Sequence, residues 1–407
     1  MKIDNLFESI DLTYIYLERF VNNGSPSGFS KNTTSIDTCP QGKNGFFNLP
    51  IIQFDETIDV EEIGESKFFN LPRNCVFCHP DNLELDFLKG VQSHWKIIDS
   101  IKVSPTASGR TVKCVGDNKF FIKLDYFGML GRLPRNLDKK KLLSAYEVSN
   151  DLNRIFSTNK THSTSFYFVE DFGRIAKIPL SNGSCYEMGF VLRNDKPYPI
   201  NQKIGAYIPF FSLFARDKFY PKDECLSLQI FKKQSKPIND FCIDLIKMVI
   251  DLYFDVLLNS GMCLEAHAQN MLLCVDENLQ IVGVAARDLE SVDKDLPLRE
   301  FLNLSTNFTS FPYKCLKRED YNYTIMHSFM FDFKLGCYLI EPLLESLSSV
   351  PNFNSSQIAE SIKEYVQKYI AQLPTDYFPT QWYNYDNEIF DRSKRRPYIA
   401  HDNPRYR

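Results

Sequence analysis

The spacing of apolar and polar residues changes character along the chain, and each change predicts a different kind of element. Between residues 101 and 235 the apolar residues come in short bursts separated by Gly, Pro and Asn: Val112–Val115, Lys119–Leu124, Phe166–Val169, Gly173–Ile178, Glu187–Arg193 and Lys203–Phe214. Bursts of that length between turn formers predict strands. After Pro237 the interval lengthens, placing Phe241, Leu245, Ile246, Val249, Ile250, Tyr253 and Leu257 on one face up to Gly261. That interval predicts a helix capped by Asn239 or Asp240, and its apolar stripe reads as core. Helical spacing recurs over Leu6–Val21, over Met326–Leu347 with a break at Gly336 and Pro342, and over Ser355–Leu373 with Ser355 or Ser356 as the cap. Asp138–Lys141 reads as a solvated helix start, and Asn22–Gly45, rich in Asn, Ser, Thr and Gly, as a long loop. The fold class expected is α+β. Its regions are a small N-terminal one (1–100), a β-rich lobe (101–235) and a mostly helical lobe (236–407).

Composition narrows the function classes. A chain of 407 residues with 43% hydrophobic, 14% aromatic and 24% charged residues is globular, and its net charge of −4 gives no basic excess to draw a polyanion. Nucleic acid is therefore not an expected partner. The N-terminus, MKIDNLFESIDLTYIYLERF, has acids among its apolar residues, unlike a signal peptide, and no run of about 18 apolar residues occurs. A cytoplasmic protein without a membrane segment is expected, and the odd count of 11 cysteines fits a reducing compartment. Cys75-x-x-Cys78-His79 matches a haem-attachment or half-zinc spacing, but no export signal and no second Cys/His pair accompany it, so it reads as coincidence.

Candidate chemistry lies where the apolar pattern is interrupted. In Gly261–Asp288, Glu265, His267 and Gln269 alternate with Ala266 and Ala268, which in extended chain projects all three polar groups from one face. Asn270 then precedes Met271–Val275, a turn at Asp276–Asn278, and a second apolar run, Leu279–Ala286, ending at Arg287-Asp288. A hairpin turning at Glu277 returns Arg287 and Asp288 opposite Ala266 and His267. A second hairpin joins Val112–Val115 to Lys119–Leu124 through Gly116-Asp117-Asn118. It sets Thr111 opposite Lys123 and gathers Ser108, Arg110, Thr111 and Lys123 at its open end, with Arg135 following. Cations and hydroxyls behind a Gly-containing loop suit an anion such as phosphate. Glu265 and Asp288 offer hard oxygens to Mg²⁺, with Gln269 or Asn270 carbonyl oxygens beside them.

The strings LEAHAQN and RDLES, with SGRT, IKL and PRNL ahead of them, resemble the signature of the NRPS-independent siderophore synthetases, the IucA/IucC-like family. MGFVLRN and IPFFSLFARD resemble a strand and a helix of the same family. The resemblance implies a cupped-hand fold with fingers and palm around ATP. It assigns Ser108, Arg110, Thr111, Lys123, Arg135 and His267 to the triphosphate, with Gln269, Asn270 and Asp288 also at the nucleotide. Arg110, Lys123 and His267 would be catalytic, and Glu265 and Asp288 would hold Mg²⁺. The implied activity is adenylation of a small-molecule carboxylate followed by attack of an amine or hydroxyl, giving an amide or ester with AMP and pyrophosphate. Full-length members carry a larger N-terminal region with a His-Pro-x-His-Pro segment, whereas this chain has CHPDN at Cys78–Asn82. A compact variant with a reduced thumb is therefore expected, serving siderophore or related natural-product or surface-polymer synthesis. A homodimer is admitted but not required. A kinase-like phosphotransferase is the alternative, since a Lys on a hairpin and a His/Asn segment before an Asp occur there too; it lacks the Gly-rich loop and an HRD-like Asp before Asn270. An inactive nucleotide-binding protein of the same fold is the third reading. Which carboxylate and nucleophile are used has no motif here.

Overall fold

The computed structural model describes residues 2, 3, 6, 9–22, 38–40, 42, 45–65, 71–116, 120–130, 133–158, 160–320, 322–385 and 398–407. Some sequence expectations fall wholly or partly outside them: Phe7 and Glu8 of the Leu6–Val21 helix, the turn residues Asp117 and Asn118 with Lys119 at the start of the following strand, most of the Asn22–Gly45 loop, and the first residues of the basic tail SKRRPYIAHDNPRYR.

A helix, α1 (Ile10–Phe20), precedes the first strands, β1 (Phe47–Phe54), β2 (Asp59–Gly64) and β3 (Cys75–Phe77). A short helix, α2 (Asp86–Lys89), leads into β4 (Trp95–Pro105), β5 (Thr111–Cys114), β6 (Phe120–Leu124), β7 (Tyr126–Leu130) and β8 (Leu133–Arg135). Helix α3 (Lys139–Phe156) then separates these from β9 (Ser165–Tyr167), β10 (Phe172–Pro179) and β11 (Cys185–Asn194). Eight strands form one sheet in the order β2-β10-β11-β6-β5-β4-β1-β3, and every pairing in it is antiparallel. One face buries Leu49, Ile51, Phe77, Val103, Phe120, Ile122 and Phe190 in a continuous core. The division expected at residue 100 falls inside β4, so strands from both sides of it share this sheet. Cys75 and Cys78 are buried in the same core, and the His79 ring accepts the Asp81 N–H at the start of the Pro80–Glu84 turn.

The rest of the chain is mostly helical around a smaller sheet. Strand β12 (Ala206–Pro209) runs straight into α4 (Phe210–Phe214), so the strand expected over Lys203–Phe214 is shorter and ends in a helix. Helix α5 (Leu226–Lys232) precedes α6 (Ile238–Ser260), which ends in left-handed Gly261 at φ 60°. Its start is set by Pro237 and not by a side-chain cap; Asn239 instead donates to Gln357 and the Asn352 carbonyl. Leu245, Ile246, Val249, Ile250, Phe254 and Leu257 are buried on α6, each contributing roughly 1.5–3 kcal/mol by apolar burial. The short β13 (Met262–Cys263) follows, and then β14 (Met271–Val275) and β15 (Ile281–Ala286), which complete a four-stranded sheet in the order β12-β14-β15-β9.

Beyond it lie β16 (Asp293–Asp295), α7 (Leu296–Phe301) and β17 (Cys315–Leu316). The helix expected over Met326–Leu347 is continuous but changes pitch. It runs as α8 (Tyr323–Ser328), a π-helical stretch Phe329–Ile340, and α9 (Glu341–Leu347). Helix α10 (Ser355–Ile370) is capped by the Asn354 side chain on Gln357 N, not by a serine, because Asn354 has the extended backbone that a cap needs. A final antiparallel pair, β18 (Trp382–Tyr385) with β19 (Tyr398–His401), follows. His327, in α8, is fully buried against Tyr377, with its Nδ1 2.8 Å from the Tyr377 carbonyl. Among the described residues no helix is long and apolar enough to cross a membrane.

Gly261 shows why the chain turns where it does. A Cβ there would sit 2.5 Å from Arg299 Cγ and 3.1 Å from its backbone N, in a conformation L residues avoid. Gly261→Ala is expected to cost about 2 kcal/mol or more, measured by urea unfolding.

Candidate functional site

The loop between β4 and β5 folds on its own polar groups. The N–H and hydroxyl of Thr106 both donate to the Thr111 carbonyl, at 2.9 and 2.7 Å, and Gly109 takes φ 77° to close the turn. Ser108 Oγ accepts Thr111 N–H at 3.0 Å, so this hydroxyl shapes the loop, while Arg110 projects from it. Thr111 stands opposite Lys123 across β5 and β6, as the hairpin pattern predicts. Arg110 donates to the Arg135 carbonyl at 2.7 Å, and the β7–β8 pair returns Arg135 beside Tyr126. Burial, reinforced by Arg110, lowers the Arg135 pKa.

The second half of the site comes from the end of β15. Asp288 sits in the left-handed region at φ 72°, and its carbonyl accepts the N–H and hydroxyl of Ser291. This tight turn aims both Asp288 and Glu290 at Lys123, whose ammonium hydrogen-bonds Asp288 and lies 2.6 Å from Glu290 Oε2. Glu290 also meets Arg110 at 3.3 Å and accepts the Tyr313 hydroxyl at 3.1 Å. Arg193 of β11 donates to Glu170 at 2.6 Å and lies 3.7 Å from Asp288, while Glu170 accepts Leu289 N–H. Burial alone would lower the Lys123 pKa, but Asp288 and Glu290 outweigh it and raise it. Burial likewise opposes ionisation of the carboxyls, yet Lys123 with Arg193 holds Asp288 far below the usual range. Lys123 with Arg110 does the same for Glu290.

His267, Gln269 and Asn270 do not continue β14 as extended chain. They form a turn, with His267 N–H donating to the Glu265 carbonyl, Asn270 N–H to the His267 carbonyl, and Gln269 N–H to His267 Nδ1 at 3.2 Å. Side chains that can satisfy nearby backbone groups favour such turns over strands. With Nδ1 accepting, the neutral ring carries its proton on Nε2, which lies 3.8 Å from Glu265. Burial depresses His267 to about 4 against the pull of Glu265, so the ring is neutral near pH 7. Glu265 is held at about 2 despite burial, chiefly by Lys334, 2.7 Å away.

The return strand also differs in register from the expected one. Met271 pairs with Ala286, and Arg287 N–H donates to the Asn270 carbonyl, three residues from the predicted opposition to His267. The cause is a longer turn, in which Asp276 Oδ1 accepts the N–H groups of Asn278 and Gln280 and Leu279 takes φ 61°, together with a bulge at Val282 where the pairing passes from Ile281 with Val275 to Gly283 with Cys274. Arg287 does not join the polar cluster. It turns into the core, donating to the Gln269 carbonyl at 2.8 Å and pairing with Glu18 and Tyr14 of α1.

The structure thus brings Arg110, Lys123, Arg135 and Asp288 together, and the His267 ring feels both Glu265 and Asp288. Thr111 and Ser108 support the loop, and Asn270 braces the turn by donating to the Glu265 carbonyl. Sequence reasoning missed Arg193, Glu170, Glu290, Lys334 and Lys314, which pairs with Asp293 at 3.3 Å. Arg193 and Glu290 do lie inside the quoted strings MGFVLRN and RDLES; the lysines carry no such signal. Among the described residues no group of three or more His, Cys, Asp or Glu has metal-binding geometry. The chemistry of Asp288, Glu290 and Glu265 nevertheless suits a hard cation: all are held ionised, and the Asp288 side chain is 31% exposed.

No protein-family model matches this chain, and no curated protein matches it in sequence. Its fold, however, is that of the siderophore synthetases. The petrobactin biosynthesis protein AsbB from Bacillus anthracis superposes with a TM-score of 0.71 over 91% of this chain and 71% of its own, at 17% identity. Aerobactin synthetase IucC from Klebsiella pneumoniae gives 0.70 over 94% and 74% at 13% identity. The ATP-bound structure of IucA from the same organism gives 0.67 over 87% and 68% at 15%.

A buried carboxyl supports the cationic half of the site. Asp125, next to β6, accepts Leu137 N–H at 2.7 Å, the Tyr186 hydroxyl at 2.9 Å and the Asn82 amide at 3.2 Å. Burial raises it from 3.8 to about 7 against those donors. A folded pKa above the unfolded one means that this group's contribution to stability falls as pH rises from 4 to 7. Relative to Asp125→Asn, the wild-type chain should lose roughly 2–4 kcal/mol of unfolding free energy across that window. Urea unfolding at each pH checks this, and a gap between the chains that is constant with pH would contradict it. Glu265 and Glu290 act oppositely, and their contribution is lost as pH falls below about 4.

Proposed function

We propose that the chain is an ATP-dependent ligase that activates a carboxylate and joins it to an amine or hydroxyl. The observation that carries this reading is the buried cluster of Arg110, Lys123, Arg135 and Arg193 interleaved with Asp288 and Glu290, in a fold shared with an ATP-bound aerobactin synthetase. Guanidinium and ammonium groups recognise phosphate oxygens, Arg as a fork and Lys as a point charge. Arg110, Lys123 and Arg135 are assigned to the triphosphate, with Ser108 and Thr111 shaping the loop beneath it. His267, neutral with its proton on Nε2, donates a hydrogen bond to the nucleotide, and Gln269 and Asn270 border the same turn.

Carboxylate oxygens of Asp288 and Glu265 would hold Mg²⁺, which neutralises phosphate charge when bound. In the first step a substrate carboxylate oxygen attacks the α-phosphorus and pyrophosphate leaves with the bonding electron pair. In the second an amine or hydroxyl attacks the acyl carbon, gives up its proton, and AMP departs. Adenylation is needed because a carboxylate oxygen is a poor leaving group and AMP a good one. We assign the product to siderophore or related natural-product or surface-polymer synthesis in the cytoplasm, on small-molecule substrates, with a homodimer compatible with the reading.

Pyrophosphate release from ATP and Mg²⁺, with citrate and other carboxylates and hydroxylamine as the trapping amine, tests this. Release should depend on one carboxylate and fall at least a hundredfold in Arg110→Ala and in His267→Ala, a loss typical of removing a group that stabilises transferring phosphate. Formation of ADP instead would identify a phosphotransferase, and ATP binding without turnover an inactive protein of this fold.

A further inference from the structure

Glu18 lies on α1 and is completely buried, an acid beside Arg19 in the largely apolar stretch YIYLERF. Its two carboxylate oxygens are divided between the two halves of the site. Oε2 accepts Ala107 N–H at 3.0 Å, in the loop that presents Ser108 and Arg110. Oε1 takes the Arg287 guanidinium and the Tyr14 hydroxyl, the latter at 2.8 Å. Arg287 hands the connection on, since its Nε donates to the Gln269 carbonyl and its own N–H to the Asn270 carbonyl. Asp288 follows it in the chain.

We infer that Glu18 is a positioning residue that sets the phosphate-binding loop against the His267–Asn270 turn and Asp288, an inference that rests on the ATP-site reading above. One rigid carboxylate fixes both elements, although they lie 89 and 269 residues away in sequence. Among the described residues the other polar link from the 106–111 loop to the second half is Arg110, which meets Glu290 and whose side chain is assigned to the ligand. Without Glu18 the loop keeps its internal hydrogen bonds but loses the contact that orients it. Tyr14, Arg287 and Glu18 are all buried, so water cannot substitute.

The test uses the full chain as wild type, Glu18→Asp, Glu18→Gln and the double variant Glu18→Leu/Arg287→Leu. The double variant removes both charges at once, because a single substitution strands a buried guanidinium and endangers the fold. Two readouts are taken: the dissociation constant for ATP with Mg²⁺ by calorimetry, and amide hydrogen exchange over residues 105–111 without nucleotide. The double variant, melting within a few degrees of wild type, should bind ATP at least tenfold more weakly and exchange at least tenfold faster in the loop. Glu18→Asp should recover part of both effects. Wild-type affinity together with wild-type exchange in the folded double variant would overturn the inference. If wild type itself binds no ATP, the ATP-site reading fails, while the exchange measurement still decides whether Glu18 orders the loop.

Discussion

The ammonium of Lys123 between Asp288 and Glu290 is the contact on which the site depends. Lys123 belongs to β6 of the large sheet, and the carboxylates follow β15 of the small one, so the ion cluster fixes the separation of the two sheets. Burying a lone ammonium would cost several kcal/mol, and its anionic partners make it tolerable. Arg110 and Arg193 add two cations, and Glu170 a third carboxylate, leaving this inner cluster balanced. On the function proposed above, an arriving triphosphate displaces internal anions. Asp288 is the member placed to yield, since its side chain is 31% exposed whereas that of Glu290 is 9% exposed. A hard cation that draws Asp288 toward itself would free Lys123 for phosphate, which gives the metal a physical reason to accompany the nucleotide.

How much of this was legible depended on turn length. The Thr111–Lys123 pairing could be read from sequence because the alternation on both strands and a Gly-initiated turn agreed on one register. The β14–β15 pairing was misread by three residues because a left-handed Leu279 and the side chain of Asp276 lengthen the turn and a bulge at Val282 shifts the return strand further, and none of these leaves a periodic signal. His267 to Asn270 look like alternating strand residues in sequence, but their side chains and backbone satisfy each other locally, and the turn wins. Contacts such as Glu18 with Arg287 or Lys334 with Glu265 join distant segments, so no local pattern announces them.

Adjacent residues can have opposite fates at a strand end. Arg287 and Asp288 look like one polar unit in the sequence. Leaving β15, however, they point to opposite sides, the guanidinium into the core beneath α1 and the carboxylate toward Lys123. Placing the cation away from the Lys123 cluster prevents a strong internal pair between neighbours. It leaves Asp288 to the lysine, while Arg287 acts as a strut from α1 to the Gln269 carbonyl.

Pro342 reads in the sequence as a helix breaker, but the helix continues through it. Proline has no N–H to offer the carbonyl four residues earlier, and that carbonyl belongs to Tyr338. Ala268 N–H of the His267–Asn270 turn donates to Tyr338 O at 3.3 Å. Over Phe329–Ile340 the helix widens to π pitch, and the same stretch carries Lys334 onto Glu265. Such widened turns tend to occur where a helix serves a site. The proline therefore leaves a helix carbonyl open to the turn that holds His267, a few residues beyond the lysine that keeps Glu265 ionised.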